Sequence, residues 1–498
     1  MDIRLDPKAI DSYRDFMRVK SLPSYNIKGR MASFPDEYSH IFGQDVVHDD
    51  VAYAPQSFLF DYQSAITDMA LNKGMFAIFA DCGLGKTLIY FEWIRAVREQ
   101  LKDQGILLVS PSMVVSQTIE ECQKFYECGL EIEQVKAAEL QTWLNTCGGK
   151  VGITNYEAIK PELNKAKLGA LILDESSMLK SHYGKWGVKL IDLGRGLRWK
   201  LAGTGTPAPN DRIEFANHAV FLDAFPTVNS FLAKYFVNRG QTGERWELKQ
   251  HAIGPFYRAL SHWSIFLTNP SVYGWEDNTK PLPPINVSIE DVDLTAEQIE
   301  LAYTGQGTLF ANELGGIATR ANYGQIAKGH FKGKAVDSKK PAYIRERVAS
   351  WQDSESTIIW CIYNEEQSIL EQQFNGDAVS IKGSTPMDDR LKMIADFKAG
   401  NVKTLITKPK ILGFGLNLQV CTRQVFSGLQ DSYESYYQAV KRSNRIGSTK
   451  PLNVHIPITD IEEPMVANVL QKATRVESDA REQERIFREH MQSHVAPR

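Results

Sequence analysis

The segment Ala80-Asp-Cys-Gly-Leu-Gly-Lys-Thr87 constrains the fold more than any other stretch of this chain. An apolar run, Met75–Ala80, leads into it, and Leu88, Phe91, Trp93, Ile94 and Val97 follow near helical spacing. A strand, a glycine-rich turn and a helix in that order gather backbone amides and a helix N-terminus around one point, an arrangement suited to an anion. Gly83, Leu84 and Gly85 supply loop amides, and the two glycines let the backbone approach phosphate oxygens. Lys86 offers a fixed cation to the β- and γ-phosphates of ATP, and Thr87 offers a hydroxyl to Mg²⁺. The strict pattern has Gly where Ala80 stands, so the match is to Gly-Lys-Thr with a variant start. A plain strand–helix turn is the competing reading, and the flanking pattern weighs against it.

A second acidic segment, Leu171-Ile-Leu-Asp-Glu-Ser-Ser177, lies about ninety residues beyond Lys86. Taken alone, an Asp-Glu pair after a strand is a common surface feature. Paired with the phosphate loop it fits a site in which Asp174 holds Mg²⁺ through water and Glu175 activates the attacking water.

At 498 residues the chain is too long for one ordinary domain. Short apolar runs recur at Met75–Ala80, Ile106–Ser110, Val151–Thr154, Leu171–Leu173 and Leu201–Gly203. A second series follows at Thr357–Cys361, Ala378–Ile381, Thr404–Thr407, Val425–Ser427 and Val454–Ile456. They are too short for helices and too apolar for one-sided strands, so they read as buried strands of two parallel sheets. The expected order is a polar, irregular accessory arm (1–50), a first α/β lobe (51–225), a helical insertion and linker (226–340), a second lobe (341–460) and a charged helical tail (461–498). Pro281-Leu-Pro-Pro284 marks the linker. The aromatics between 226 and 275 read as core residues rather than base-stacking platforms.

The formal net charge of −3 excludes a globally basic nucleic-acid binder, so any such site is a local strip. One candidate strip contains Arg320, Lys328, His330, Lys332, Lys334, Lys339, Lys340, Arg345 and Arg347, opposed only by Asp337 and Glu346. A solvated basic loop is an equal alternative there. The six cysteines form no C-x-x-C pair, which points to reduced thiols and away from a zinc site. The N-terminus lacks a signal-peptide pattern and no apolar run reaches membrane-spanning length. A cytoplasmic protein is expected, in the host cytoplasm if viral.

Further segments decide the class. Phe58-Leu-Phe-Asp-Tyr-Gln63 resembles the adenine-reading Q motif, Val109-Ser-Pro-Ser112 motif Ia, and Ile153-Thr-Asn-Tyr-Glu157 the segment after it. Asp174-Glu-Ser-Ser-Met-Leu-Lys180 stands at motif II, and Thr204-Gly-Thr-Pro-Ala-Pro-Asn210 resembles motif III. Ile358-Ile-Trp-Cys361 fits the first strand of the second lobe, and Gly413-Phe-Gly-Leu-Asn-Leu-Gln419 is similar to motif V. Gln438-Ala-Val-Lys-Arg-Ser-Asn-Arg-Ile-Gly447 resembles motif VI. In this order, over about residues 55 to 475, the set resembles the Swi/Snf-like branch of the superfamily-two helicases, and its compact bacteriophage-type members most.

The resemblance implies two tandem RecA-like lobes with a helical insertion and a helical C-terminal tail. It implies ATP and Mg²⁺ as cofactors, with Gln63 and Gln438 at the nucleotide. Arg442 and Arg445, three apart and hence on one helix face, would act on its phosphates from the second lobe. It implies Ser110, Ser112, Asn155, Lys408 and Asn417 as DNA contacts, to which the strip would add Lys332, Lys334, Lys339 and Lys340. The implied output is translocation on duplex or branched DNA. A strand-separating DNA or RNA helicase and a nucleotide-dependent scaffold are the rivals; Glu175, Arg442 and Arg445 argue against the scaffold, since binding alone needs none of them. A single-lobe kinase is set aside by the second strand series. Three departures stand out: Ser177 where the family has His, Lys408-Pro409 where small hydroxyl residues are common, and Ser448 where Gln is usual.

Overall fold

The computed structural model describes residues 1–22, 25–34, 36–43, 51–126, 129–180, 184–240, 245–276, 282–303, 317–351, 355–412, 416–429, 432–445 and 447–495. The chain divides into two compact units, Met1–Asn278 with Glu477–Arg498, and Thr279–Val476.

The first unit begins with a small module. Strands β1 (Asp2–Arg4), β2 (Asn26–Lys28) and β3 (Met31–Ser33) form an antiparallel sheet in the order β1-β3-β2, beside helix α1 (Ile10–Ser21). Leu5, Val19, Leu22, Ala32, Phe34 and Tyr38 make its core. The expected irregular arm is therefore folded through Gly43, and residues 44–50 lie outside the described set. Three-residue strands bury too few apolar positions to show a period in the sequence. The Lys234 ammonium lies 4.4 Å from the Tyr25 ring centroid, and the Tyr38 hydroxyl bonds His262 Nε2, so the module is tied to the rest of its unit.

The main sheet of this unit is parallel. Its strands are β4 (Met75–Ala80), β5 (Gly105–Ser110), β6 (Glu133–Gln134), β7 (Val151–Asn155), β8 (Leu168–Asp174), β9 (Trp199–Gly203) and, after an antiparallel hairpin of β10 (Phe236–Asn238) and β11 (Trp246–Leu248), β12 (Ser264–Leu267). Their order is β12-β4-β9-β8-β5-β7-β6. Leu171 and Leu173 of β8 face one core, whereas Ala170 and Ile172 face the other. Both faces are covered, which is why these strands read as unbroken apolar runs. Helix α2 (Asp61–Lys73) precedes β4, and helix α3 (Lys86–Leu101) follows it. Most of the aromatics of 226–275 are core: Phe231, Tyr235, Phe236, Phe256 and Trp263 are all buried, whereas Trp246, Tyr273 and Trp275 are partly exposed.

The second unit has its own parallel sheet, in the order β13-β20-β19-β16-β18-β17. Its strands are β13 (Ile285–Asp291), β16 (Ser356–Trp360), β17 (Val379–Ser380), β18 (Thr404–Thr407), β19 (Cys421–Phe426) and β20 (Leu452–Ile458), with a small hairpin of β14 (His330–Phe331) and β15 (Lys334–Ala335). The stretch 226–340, expected as an insertion, thus supplies β12 to one sheet and β13 to the other. Pro281 of the expected linker lies outside the described residues; the Pro284 carbonyl accepts from Leu452 N at the start of β13.

The tail is one helix, Glu463–Val495. Its residues to Val476 belong to the second unit and those from Glu477 to the first. In the first unit Asp479 receives both Nε and one terminal nitrogen of Arg212, at 2.9 and 2.5 Å, and the Tyr257 hydroxyl at 2.8 Å. Among the described residues no helix is long and apolar enough to cross a membrane.

Candidate active site

In a parallel sheet the loops that leave the C-terminal strand ends lie along one edge, where ligands settle. In the first unit that edge collects Ala80 of β4, Ser110 of β5, Asp174 of β8 and Gly203 of β9. The phosphate loop leaves β4 and enters α3, with Gly83 at φ +92° and Gly85 at φ +67°. Gly85 has a second reason to lack a side chain. A Cβ there would run into the Gln63 side-chain amide, so the Q-motif glutamine packs directly on the loop. Gln63 is itself fixed by accepting from Phe60 N at 3.0 Å, and the neighbouring Tyr62 hydroxyl donates to the Leu84 carbonyl at 3.2 Å. The sequence pattern did not single out Tyr62, although it sits inside the Q motif.

Lys86 Nζ donates to the carbonyls of Ala80 and Asp81, at 2.7 and 3.2 Å. The loop thereby curls around its own lysine, leaving two left-handed glycines and the amides that open α3 as a cradle of anion donors. That donor set fits a nucleotide triphosphate. Thr87 lies in the first turn of α3, partly exposed.

Asp174 ends β8, and Ser110 Oγ donates to its Oδ2 at 2.9 Å. The Tyr156 hydroxyl donates to its backbone carbonyl at 2.6 Å. Burial raises the Asp174 carboxyl, as does the adjacent Glu175, while Ser110 and Lys86 pull it back down. Glu175 adopts φ +56°, ψ +51°, a left-handed conformation rare for a residue with a Cβ. Its Oε1 accepts from Thr204 Oγ1 at 2.6 Å and from Ser177 Oγ at 3.2 Å. Motifs II and III are therefore joined through one carboxylate oxygen. Ser177, standing where the family has His, is buried and turned toward Glu175. The nearby buried histidine is His218, whose Nε2 lies 3.0 Å from Ser176 Oγ and whose pKa burial lowers to about 4.

Other expected contacts fall elsewhere. Ser110, expected at DNA, is fully buried and spends its hydroxyl on Asp174. Ser112 is exposed, and Asn155 Oδ1 accepts from Ala158 N, capping the short turn after β7.

In the second unit Gln438 and Arg442 are buried on the Tyr433–Ser443 helix. That helix ends at Ser443 and is capped by Asn444, so Arg445 lies beyond it rather than on a shared helical face. Arg445 N donates to Ser448 Oγ at 3.1 Å and its carbonyl accepts from Ser448 N at 2.9 Å, while Ser448 Oγ donates to Ser443 O at 2.6 Å. Lys408 lines an open crevice with Trp360, Lys410 and Tyr436 at the C-terminal strand ends, and its Nζ donates to Asn364. Asn417 is half-buried, whereas Gly413, Phe414 and Gly415 of motif V lie outside the described residues.

The basic strip separates into two groups. Lys332 and Lys334 are exposed on the β14–β15 hairpin, and exposed Lys339 pairs with Asp293 at 3.3 Å. Lys340, expected at DNA, is fully buried with Lys328, both paired to Glu462. Burial alone would raise the Glu462 carboxyl, but the two lysines hold it down to about 2.

The SNF2-related domain family matches residues 66–333, and the helicase conserved C-terminal domain family matches 339–447. ATP-dependent helicase fft1 of Schizosaccharomyces pombe is 22% identical, over 83% of this chain and 52% of that protein. The DNA annealing helicase and endonuclease ZRANB3 of Mus musculus is 22% identical, over 78% of this chain and 37% of that protein. A solved SWI2/SNF2 ATPase core of Sulfolobus solfataricus, in complex with dsDNA, gives a TM-score of 0.39 at 20% identity, covering 87% of this chain and 96% of that one. The chain spans about half the length, or less, of these two curated relatives. With the SNF2-related match alone taking in more than half of its residues, the chain belongs to the SNF2-related family, the Swi/Snf-like ATPases of helicase superfamily two.

Proposed function

We propose that this chain is an ATP-dependent motor that tracks along duplex or branched DNA, fuelled by hydrolysis at the Lys86–Glu175 site. The observation that carries this reading is the bond from Thr204 to Glu175. The carboxylate suited to activating water is tied to motif III, so a change in nucleotide state and a change in that segment are mechanically linked. ZRANB3, a DNA annealing helicase and endonuclease, agrees with DNA as the track, and fft1, an ATP-dependent helicase, agrees with ATP as the fuel.

In this reading 51–225 and 341–460 form the working lobes, with 226–340 shared between them. Gln63, Gly83, Leu84, Gly85, Lys86 and Thr87 bind ATP, with Gln438 contributing from the second lobe. Thr87 and Asp174 would hold Mg²⁺, which neutralises charge between the β- and γ-phosphates when bound. Ser112, Asn155, Lys408, Asn417, Lys332, Lys334 and Lys339 grip the DNA backbone. The Asp-Glu-Ser-Ser and Gly-Thr-Pro-Ala-Pro-Asn variants support a compact bacteriophage-type member. An intracellular place of action agrees with the five described cysteines, all free thiols.

Strand separation needs a pin that replaces lost stacking of ~0.6–2.2 kcal/mol per step. The aromatics richest in number, those between 226 and 275, are largely spent in the core. Duplex DNA is therefore expected to stimulate ATP hydrolysis at least as well as single strands. A third strand should be displaced from a triplex without unwinding of a plain tailed duplex. Both are measured at one DNA length and salt concentration, alongside forks and RNA. Efficient unwinding with little duplex stimulation would put a strand-separating helicase in place of the translocase.

The strip makes a separate prediction. Changing Lys332, Lys334 and Lys339 together to Gln should weaken DNA binding and flatten its log–log salt slope by up to about 3, since each lost phosphate contact removes roughly 0.9. Lys340→Gln should instead lower the denaturation midpoint, because breaking a buried ion pair costs roughly 3–5 kcal/mol. An unchanged salt slope in the triple variant would leave the hairpin as a solvated loop.

A further inference from the structure

Tyr90 stands one turn beyond Lys86 in α3, and its side chain is buried. Its hydroxyl makes no hydrogen bond of ordinary geometry among the described residues, although it lies close enough to the Asp174 carboxylate to interact with it. A buried unpaired hydroxyl is costly compared with a phenyl ring of the same shape, so packing alone favours Phe here. The position of the hydroxyl suggests what it is for. In the β8–β9 ladder Asp174 lies opposite Gly203, and residues opposite one another project to the same face. A Cβ built on Gly203 would fall on the Tyr90 hydroxyl. The phenol thus occupies the place of a side chain at Gly203, on the β9 flank of Asp174. On the β5 flank, Ser110 Oγ already donates to Asp174 Oδ2. In keeping with this position, burial first, and then the charges of Asp174 and Glu175, suppress ionisation of the phenol.

We propose that Tyr90 is a positioning residue of the nucleotide site, whose hydroxyl donates to the Asp174 carboxylate and, with Ser110, clamps it from both flanks during magnesium–nucleotide binding. The proposal rests on Asp174 being the metal-holding carboxylate. A clamp on that carboxylate acts through the metal, so its loss should be felt with magnesium present and not without it. A hydroxyl that serves only the fold would show the opposite: a loss of stability indifferent to magnesium.

The test uses the full chain and a fluorescent ATP analogue, titrated in excess Mg²⁺ and again in EDTA, with urea denaturation of the protein alone. Tyr90→Phe is expected to weaken binding in Mg²⁺ about tenfold, the weight of one hydrogen bond to a charged acceptor, and to leave binding in EDTA within about twofold. Its denaturation midpoint should equal or exceed that of the parent. Equal affinity in Mg²⁺, or equal losses in Mg²⁺ and EDTA, would overturn the proposal. Asp174→Asn separates the two levels. If it abolishes the magnesium dependence while Tyr90→Phe leaves it intact, the Tyr90 clamp alone fails. If Asp174→Asn keeps the magnesium dependence, the metal assignment fails and the clamp fails with it.

Discussion

Glu175→Gln is expected to bind Mg²⁺-ATP about as tightly as the parent chain and to turn it over about 10²–10⁴-fold more slowly, the usual weight of a lost general base. The amide keeps the size of the side chain and an oxygen for Thr204 and Ser177 to donate to, so the ties at 2.6 and 3.2 Å survive. What disappears is the capacity to take a proton from water. Glu175 sits in a left-handed backbone conformation, a strain of about 1–3 kcal/mol that the surrounding hydrogen bonds must hold. Thr204→Ala, which removes the shorter of those bonds, should therefore give a partial loss of turnover with ATP affinity kept. Lys86→Ala should behave differently and lose affinity together with turnover, because the triphosphate loses its nearest fixed cation. Steady-state phosphate release and direct nucleotide binding separate the three variants. Parent-level turnover in Glu175→Gln would remove Glu175 from the role of base.

What the sequence disclosed here follows from the range of the interactions involved. The phosphate loop was legible because strand, turn and helix are contiguous. The strands β4, β5, β8 and β16 were legible because both faces of each sheet are covered, leaving apolar runs with no alternation. β12 and β13 escaped notice for opposite reasons. Ser264–Leu267 follows the Ile253–Trp263 helix with no break residue between them. Ile285–Asp291 is an edge strand with Val287 and Ile289 exposed, so it carries no buried run. The misplaced contacts are long-range. Ser110 looks like a surface hydroxyl at a strand end until Asp174, 64 residues away, is seen to accept its hydrogen bond. Lys340 looks like part of a charge run until Glu462, 122 residues away, is seen to pair with it. A local pattern of charge cannot show which lysine is buried against a distant carboxylate.

Arg445→Ala should lower ATP turnover steeply, toward the ~10³–10⁵ associated with an arginine that stabilises charge on a transferring phosphoryl group, while nucleotide affinity falls far less. The two motif VI arginines are not equivalent in this chain. Arg442 is 3% exposed and lies within the Tyr433–Ser443 helix, so its removal also disturbs the packing of the second unit. Arg445 is partly exposed and stands outside the helix, on a turn closed in both directions by Ser448. A guanidinium on a fixed turn offers a planar fork of donors suited to phosphate oxygens, which is the requirement for acting on a transition state. Ser448 takes on a definite task here: its hydroxyl links Arg445 N to the Ser443 carbonyl, pinning the turn to the helix end. Ser448→Ala should therefore lower turnover in the same direction as Arg445→Ala but by a smaller factor, through a loosened turn with the arginine still present. Arg442→Ala should lower the denaturation midpoint along with turnover, whereas Arg445→Ala should leave the midpoint close to the parent value. Turnover, nucleotide affinity and urea denaturation measured on the three variants make the distinction. If Arg445→Ala stays within tenfold of the parent rate while Arg442→Ala falls by orders of magnitude at unchanged stability, the catalytic assignment moves to Arg442 and the Ser448 turn loses its part in it.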